Sequence, residues 1–541
     1  MNTFGGARLA TWQHRGVRFL VHAFVAVLTT APLGWRLSDG LPLGREPVAT
    51  VPMFNLWSLR WTGMCLPTEV GRWWDAPIFW PTDGAYARSE LQPITGLAHG
   101  LLRAVVGDAA AYGLLVILSL TLVGLAAAAV ARRVGVSPVP AAAAGVLAQT
   151  IPFLFEQLGV LQLLMLWPVL FAIDSLLAWV QTPRLAHAAR IGGWVAVAYL
   201  TCGYHAALFV MAFGLSAPLL VQRSWRGEWR RRLGGVALAA AVAAVLAGPF
   251  ALGQANRLGD RRWTDATIRA GSATWRAWWP GGSPWPGVIV VVLAVAGIVI
   301  GRRQRAVWWL TALGLAGLLL ALGSNLSLFG WRPYSFLVDH VGVVARLRSP
   351  FRATALAQLV MALLAALTLQ WAWQRRPRVW LGRSAAAAVL AVVLLTADLG
   401  SGEIRALPPT DLVWMEWLAE HPGGSVLMLP MAPGSGVEDF EATAAAMLQG
   451  LVHGHPLVNG YTGFFPAGHR QQRERLAGFP DAESVAELRE MGVVYVVADS
   501  LWWNSRRDGA ARDVGLTIVL AGPDGVLIDL RESGSAGNQT D

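Results

Sequence analysis

The sequence predicts a polytopic α-helical membrane protein with a soluble α/β domain at its C-terminal end. Of its 541 residues, 55% are hydrophobic and only 14% are charged, whereas soluble domains have a charged fraction of about 25%. Repeated apolar runs of about 15–25 residues are separated by short arginine clusters, which is typical of membrane-spanning helices and their connections. From about Ser401 the composition changes to that of an ordinary α/β domain. These three observations exclude a soluble multidomain protein.

The predicted membrane domain covers residues 1–400 and contains about eleven spans. The apolar runs lie at about 17–35, 110–131, 138–154, 157–181, 188–203, 205–222, 233–253, 287–301, 306–323, 353–374 and 384–400. The first run follows Arg8, Arg15 and Arg18 and looks like a signal peptide, but no small-residue cleavage site follows it. We therefore expect a retained signal anchor.

The arginines predict the orientation of these spans. All 43 basic residues are arginine, and most clusters lie in alternate connections, at 132–133, 223–232, 302–305 and 375–383. Positive residues favour the cytoplasmic side, so the N-terminus is predicted inside. An odd number of spans then puts the C-terminal domain outside a bacterial inner membrane. Because no soluble element carries a stripe of basic and aromatic residues, nucleic acid is excluded as a partner despite the net charge of +10.

Residues 401–531 are predicted to form the extracytoplasmic α/β domain. A helix ends at Gly423-Gly424, and residues 425–430 follow as a buried strand. Asp481 caps a second helix that ends at Gly492, and residues 493–498 form another buried strand. The Gly-Pro-Asp-Gly turn at 522–525 predicts a terminal hairpin. The tail at 532–541 is predicted to be disordered.

The first outer loop, residues 37–109, is long enough to have a function of its own. It carries Leu-Pro-Leu-Gly-Arg-Glu at 41–46 directly after the first span and seven acidic residues in all. Five tryptophans, at 57, 61, 73, 74 and 80, predict an interfacial helix that lies on the membrane, because indole combines an apolar body with a polar N–H.

This arrangement resembles the GT-C superfamily of membrane glycosyltransferases, which take sugar from a polyprenol-phosphate donor. The resemblance lies in about eleven spans, a large first outer loop with an acid just past the first span, a second acid in a later outer loop, and a soluble C-terminal domain outside. It implies that Glu46 is a catalytic base or metal ligand and that Glu156 is the second acid. Many relatives have an acidic pair at the first position, whereas here the sequence is Arg45-Glu46-Pro47.

The same chemistry can be argued from residue types. A carboxylate near the membrane surface can take the proton of an acceptor hydroxyl, and Asp75 and Glu90 are further candidates for this role. Arginine binds phosphate oxygens bidentately and stays charged, so Arg346, Arg348 and Arg352 are the candidate phosphate ligands. His205, at a hinge between two short spans, is a candidate for the same cavity.

Structural interpretations compete with each of these functional ones. Glu46 would then be a solvated acid or a salt-bridge partner of Arg45 or Arg60. Asp75 would cap a turn before Pro77, and His205 would be a buried structural histidine. The three arginines would contact lipid headgroups or cap helix ends.

Cofactor motifs are missing from the sequence. It has no phosphate-binding Walker loop, dinucleotide fingerprint or nucleophile elbow, so neither a nucleotide nor a redox cofactor is expected. The sequence leaves open whether a divalent cation is bound. His453-Gly454-His455 has no further ligands at a recognisable spacing, which disfavours zinc. Asp174, within an apolar run, is expected to make an interhelical hydrogen bond.

The predicted function is transfer of a hexosyl or pentosyl group from a polyprenol-phosphate-linked donor to a glycan, lipid or protein acceptor of the cell envelope. The other expected partners are membrane lipids. Two alternatives stay open: a transporter or flippase of lipid-linked or small solutes, and a non-catalytic membrane scaffold with the same architecture.

Overall fold

The computed structural model describes residues 3–222, 225, 227–282, 285–374, 379–506 and 516–531. The chain divides into two compact units, of which the first comprises Met1–Leu37 and Ala111–Ile404 and the second Ser38–Ala110 and Arg405–Asp541. The predicted domain boundary at residue 401 falls close to the observed one. Residues 38–110, which the sequence analysis assigned to the membrane domain, lie in the second unit. The predicted tail at 532–541 is outside the described residues.

The chain is mostly helical up to Thr396. The α-helices in this part are α1 (Thr3–Thr29), α2 (Thr50–Cys65), α3 (Pro93–Val106), α4 (Asp108–Arg133), α5 (Pro138–Gln149), α6 (Pro152–Glu156), α7 (Trp167–Gln181), α8 (Leu185–Thr201), α9 (Gly203–Ser216), α10 (Trp229–Leu258), α11 (Asp265–Ala270), α12 (Val288–Gly301), α13 (Arg305–Leu322), α14 (Pro333–His340), α15 (Thr354–Gln374) and α16 (Val379–Thr396).

Each predicted apolar run overlaps at least one of these helices. Among the described residues, seven helical segments are long and apolar enough to cross a membrane, and three more apolar helices are shorter. The chain is therefore a helical, multi-pass membrane protein. The number of spans and their orientation stay predictions.

The helical backbone is interrupted within one predicted run and at the junction of two others. The run at 138–154 divides into α5 and α6 because Pro152 starts a new helix after the extended Ile151. The backbone of Cys202 is extended, with φ −159° and ψ 102°, and separates α8 from α9. Each break ends the regular hydrogen-bond ladder and gives the next segment a new direction.

Small residues bring the helices of the first unit close together. A Cβ at Gly192 would overlap the carbonyl of Ala239, so α8 and α10 are in close contact there. A Cβ at Gly297 on α12 would likewise overlap the carbonyl of Leu364 on α15. Helices in a membrane are held by such van der Waals contacts, because lipid tails and apolar side chains are about equally hydrophobic.

The second unit contains a four-stranded mixed sheet. Its remaining helices and the strands of the chain are α17 (Val413–Glu420), α18 (Glu441–His453), α19 (His469–Leu476), α20 (Ala482–Glu490), α21 (Ser500–Asn504), β1 (Leu41–Pro42), β2 (Ile404–Arg405), β3 (Ser425–Leu429), β4 (Val493–Ala498), β5 (Thr517–Gly522) and β6 (Gly525–Asp529). The strand order is β3-β4-β6-β5, with β3 and β4 parallel and the other pairs antiparallel. Leu427, Phe479 and Val496 are fully buried in its core. The two strands and the hairpin lie where the sequence predicts them.

The tryptophans of the first loop are core residues, and the prediction of an interfacial helix is wrong. Trp57, Trp61, Trp73 and Trp74 are all buried, and only Trp80 is exposed. The indole N–H of Trp61 donates to the carbonyl of Trp73 over 2.8 Å, on the flank of α2. Indole suits a buried site with one hydrogen-bond acceptor as well as it suits a membrane surface.

Candidate functional site

A short irregular segment at residues 345–352, here called the arginine segment, leads into α15 in the first unit. It contains two 3-10 turns, Val344–Arg346 and Pro350–Ala353. Its backbone is fixed by partners distant in sequence. The N–H of Trp263 donates to the carbonyl of Ala345 over 2.9 Å, and the N–H of Phe351 donates to the carbonyl of Gly271 over 3.2 Å. The arginine segment therefore has a defined path.

The three arginines of this segment have different surroundings. The guanidinium of Arg346 donates to the carbonyl of Gly259 over 2.7 Å. That of Arg348 lies 5.2 Å from the ring centroid of Trp263, and Arg348 is exposed. That of Arg352 lies 4.1 Å from the ring centroid of Tyr204. The face of an aromatic ring attracts a cation, so these two contacts help to orient the guanidinium groups of Arg348 and Arg352.

Tyr204 connects α9 to the arginine segment. Besides carrying the Arg352 guanidinium on its ring, it accepts a hydrogen bond from the backbone N–H of Arg348 through its hydroxyl, over 2.9 Å. The neighbouring His205 is buried, and its Nε2–H donates to the carbonyl of Leu163 over 2.9 Å. His205 thus faces the bundle, and Tyr204 is the residue of this pair that contacts the arginines.

Glu156 is placed near this end of the first unit through Phe153, one helical turn before it on α6. The ring of Phe153 lies 6.3 Å from that of His205 and 6.4 Å from that of Phe351. Its backbone N–H donates over 3.0 Å to the side-chain oxygen of Gln358, on α15. Glu156 itself ends α6 and is half-buried. The segments that carry Glu156, His205 and Arg352 therefore pack together.

Asp265 fixes the loops around the arginine segment. Its carboxylate accepts hydrogen bonds from the hydroxyls of Ser324 and Ser335 over 2.8 and 2.9 Å and from the guanidinium of Arg269 over 2.7 Å. Burial opposes ionisation of Asp265, but these hydrogen bonds outweigh it and lower the pKa of the carboxyl group. A structural carboxylate thus stands among the arginines of these loops, and it was not among the residues predicted from the sequence.

Glu46 lies in the second unit, between a turn at Gly44 and the start of α2. Its backbone N–H donates to the carbonyl of Leu43 over 3.0 Å, and Gly44 has a φ of +62°, which glycine adopts without strain. The Glu46 side chain is half-buried. The turn places Glu46 four residues before the first residue of α2.

Glu441, the first residue of α18, holds the backbone that follows Glu46. Its carboxylate accepts from the N–H of Ala49 over 3.1 Å and from the guanidinium of Arg405 over 3.0 Å. The hydroxyl of Thr50 donates to the carbonyl of Val437 over 2.7 Å. The C-terminal segment therefore fixes the loop that carries Glu46.

Asp75 does not share the position of Glu46 in the second unit. Asp75 accepts from the N–H of Gly84 over 2.8 Å and so closes a turn of its own loop. It comes two residues after Trp73, which contacts Trp61 near the other end of α2. With a rise of 1.5 Å per residue, that end is about 16 Å from the N-terminus of the helix. Glu90 is half-buried, and Gln92, two residues later, donates to the Asn55 side chain of α2 over 3.1 Å.

Other charged side chains singled out from the sequence have structural partners. Asp174 forms a two-bond ion pair with Arg133, with distances of 2.9 and 3.2 Å, so the expected interhelical hydrogen bond is confirmed. His455 is buried, with its two ring nitrogens 3.1 and 2.9 Å from the carbonyls of Gly424 and Leu418. Within the described part of the chain, no three His, Cys, Asp or Glu side chains are grouped so that they could hold a metal ion. The divalent cation left open by the sequence has no complete set of protein ligands there.

Comparisons with known proteins bear on the fold. No family model and no curated protein sequence matches the chain. Its structure matches that of the mycobacterial arabinofuranosyltransferase AftD with a TM-score of 0.59 and 18% sequence identity, over 95% of this chain and 41% of AftD. It matches apo ArnT from Cupriavidus metallidurans with a TM-score of 0.51 and 15% identity, over 97% of this chain and 99% of ArnT.

The chain thus spans less than half of AftD and nearly all of ArnT. Both are GT-C glycosyltransferases. The resemblance inferred from the sequence is confirmed at the level of fold, and this chain has the fold of the GT-C superfamily of membrane glycosyltransferases.

Proposed function

We propose that this protein is a glycosyltransferase that moves a sugar from a polyprenol-phosphate-linked donor to an envelope acceptor on the outer face of the bacterial inner membrane. The GT-C fold supports the reaction class. The arginine segment is the observation on which the proposal depends, since it is an ordered cationic site at the end of a helix bundle. AftD, an arabinofuranosyltransferase, makes pentosyl transfer as reasonable an expectation as hexosyl transfer.

The arginine segment would hold the donor phosphate. The guanidinium of Arg352 over Tyr204 and that of Arg348 over Trp263 are both oriented by aromatic rings. No carboxylate is needed to orient them, so their charge is not neutralised by that contact. Charge-assisted hydrogen bonds from guanidinium to phosphate are about twice as strong as neutral ones. They would stabilise the negative charge that the phosphate gains as the sugar leaves.

Glu46 would act as the general base. The acceptor hydroxyl oxygen forms a bond to the anomeric carbon, the bond from that carbon to the phosphate oxygen breaks, and the phosphate leaves with the electron pair. The hydroxyl proton goes to the Glu46 carboxylate. Glu156 is the second candidate carboxylate, and Asp75 and Glu90 are candidates for acceptor binding. Glu441 would position Glu46 through the Ala49 N–H.

A transporter or flippase is the second candidate, and the helix breaks favour it. Transporters bind substrate where helices are discontinuous, and the chain is interrupted between α5 and α6 and at Cys202. The ionisable residue within an apolar run, Asp174, is paired with Arg133. A lipid-translocation assay in vesicles that shows flipping without sugar transfer would favour this candidate.

The test is transfer of radiolabelled sugar from a polyprenyl-phosphate-linked donor by the purified protein in nanodiscs. We expect Glu46→Gln to lower kcat by about 10²–10⁴-fold, the usual contribution of a general base. The matched control is Glu69→Gln, because Glu69 is an exposed acid of the same loop paired with Arg72. Glu69→Gln should transfer at the wild-type rate. If Glu46→Gln also transfers sugar at the wild-type rate, Glu46 is not the general base. If neither the wild type nor any variant transfers sugar, the scaffold alternative holds.

A further inference from the structure

A two-residue hairpin in the first unit has an apolar tip that is exposed to solvent. Leu328 and Trp331 exchange backbone hydrogen bonds over 2.8 and 3.0 Å, and Phe329 and Gly330 form the turn between them. The side chain of Phe329 is fully exposed to solvent, and that of Trp331 is 56% exposed. An aromatic side chain with no protein contact at the tip of a tight turn has no role in packing.

The backbone at Phe329 makes the tip more unusual. Phe329 has a φ of +52° and Gly330 a φ of +86°, which is the arrangement of a turn that normally takes asparagine and glycine. A bulky side chain in the left-handed region is strained. Strain of this kind at an exposed residue indicates that the side chain itself is used.

The tip lies close to a membrane-crossing segment. The apolar helical segment Arg305–Asn325 ends three residues before Leu328. Three extended residues reach at most about 10 Å, which is comparable to the thickness of the headgroup region. The position of the loop is also restrained, because the Ser335 hydroxyl donates a hydrogen bond to the Asp265 carboxylate over 2.9 Å. The hairpin therefore stays near the edge of the hydrocarbon core.

The chain next to the tip is apolar and basic. Phe336 on α14 lies 6.4 Å from Trp331, is 48% exposed, and stacks on His340 at 4.1 Å. Between residues 326 and 349 there are three arginines and one aspartate. Aromatic side chains beside cationic ones match an anionic membrane surface, where apolar rings enter the boundary region and arginines contact headgroups.

We propose that the hairpin tip, Leu328 to Trp331, together with the Phe336 face of α14, inserts into the interface of an anionic lipid bilayer beside the arginine segment. The bound partner is the lipid surface itself. This contact does not depend on sugar transfer, and it anchors the loop that carries the arginine segment to the leaflet from which a lipid phosphate would arrive.

The test measures the depth of the tip in vesicles. Phe329→Cys is labelled with a polarity-sensitive fluorophore and reconstituted in phosphatidylcholine vesicles with and without phosphatidylglycerol. The native Cys65 and Cys202 are buried, so labelling is specific, and unsubstituted protein provides the blank. The matched control is Asp524→Cys, because Asp524 is at the exposed polar tip of the β5–β6 hairpin.

We expect lipids with a quencher at the headgroup boundary to quench the label at 329 roughly threefold more strongly than the label at 524, as for a residue inserted in the interface. Phosphatidylglycerol should increase this difference. Equal quenching at the two positions would overturn the proposal. If quenching is the same with and without phosphatidylglycerol, the arginines do not contribute to membrane binding. If the quenching depends on protein concentration, the tip contacts another copy of the chain instead of the bilayer, which would overturn the proposal.

A second variant separates insertion from folding. Phe329→Asn places in the turn a residue that accepts a positive φ, so the thermal stability of the protein in detergent should be unchanged or higher. The Trp331→Cys label in this background should lose about half of its quenching by the boundary lipid. Undiminished quenching would show that Phe329 contributes nothing to insertion.

Discussion

Two short segments of this protein, one in each unit, lead into a helix and carry the charged residues proposed for function. The arginine segment precedes α15, and residues 43–49 precede α2. Both are fixed by hydrogen bonds from the backbone to side chains far away in sequence. The partner of the first is the neutral hydroxyl of Tyr204, and the partner of the second is the carboxylate of Glu441.

This difference has a physical consequence. The hydroxyl of Tyr204 orients the backbone, and its ring orients a guanidinium. The carboxylate of Glu441 is paired with Arg405, and both side chains are partly exposed, so salt and charge-removing substitutions should weaken that contact. The backbone N–H of Arg348 is therefore held by a hydroxyl group, and that of Ala49 is held by a carboxylate that is itself in an ion pair.

Among the substitutions that test this comparison, we expect those at Tyr204 to have the largest effect. Tyr204→Ala removes both the hydroxyl that accepts from Arg348 and the ring beneath Arg352, and it should weaken binding of polyprenyl phosphate roughly thirtyfold, since each contact contributes about 1 kcal/mol. Tyr204→Phe keeps the ring and should cost only a few-fold. Titration of the lipid into protein in nanodiscs measures both. Equal affinities of Tyr204→Ala and wild type would show that the ring does not orient the arginine.

A smaller effect is expected at Glu441. Glu441→Ala should raise the hydrogen exchange rate of the Ala49 amide and lower kcat for transfer about fivefold with little change in the donor KM, because it frees one hydrogen bond worth about 1 kcal/mol. Glu441→Gln keeps an acceptor and should restore most of the protection. Glu438→Ala, which removes an exposed acid nearby, is the control. A Glu441→Ala enzyme with faster exchange at Ala49 and normal kcat would separate the loop from catalysis.

The smallest effect is a local difference in acid stability between α18 in the second unit and α11 in the first. Burial lowers the pKa of His453 to about 3, with the neighbouring His455 adding to the shift, and lowers that of His469 to about 4, with Arg473 adding to it. Their ordinary value is 6.5, so the unfolded second unit binds protons that the folded one does not. Stability present above pH 6.5 is then lost as the pH falls toward these values.

For the short helix α11 of the first unit, the corresponding loss of stability should start at lower pH. The pKa of Asp265 is lowered from 3.8, so its contribution is complete above that value and is lost only as the pH falls below it. Hydrogen exchange at pH 7 and pH 5, corrected for intrinsic rates, should therefore show loss of protection in α18 and none in α11. Parallel loss in both helices would contradict the assignment.

Local signals in the sequence predicted much of the fold. The apolar runs are long enough to place a helix in each predicted span, and the Asp481 cap is confirmed by its 2.8 Å hydrogen bond from the Ser484 N–H. Such features depend on residues within one or two helical turns. The first-loop tryptophans were misread because hydrophobicity alone does not distinguish a membrane surface from a protein core.

The sequence predicted only part of the candidate site. Charge and position singled out the arginines and Glu46, but the groups that hold them come from distant segments, as with Tyr204 and Arg348 or Ala49 and Glu441. Neither Glu441 nor Asp265 stands out among the acids of the chain. Pairings of this kind are set by tertiary packing, and a single sequence carries no periodic signal for them.

The most direct test of the account is the affinity of the arginine segment for a lipid phosphate. Polyprenyl phosphate is titrated into nanodiscs that contain the wild type, Arg352→Gln, or Arg262→Gln, which removes an exposed arginine of a neighbouring loop. We predict that Arg352→Gln raises the Kd at least roughly tenfold, the loss expected for a charge-assisted hydrogen bond worth about 1.5–3 kcal/mol, and that Arg262→Gln does not change it. Equal Kd values for all three proteins would contradict the central claim.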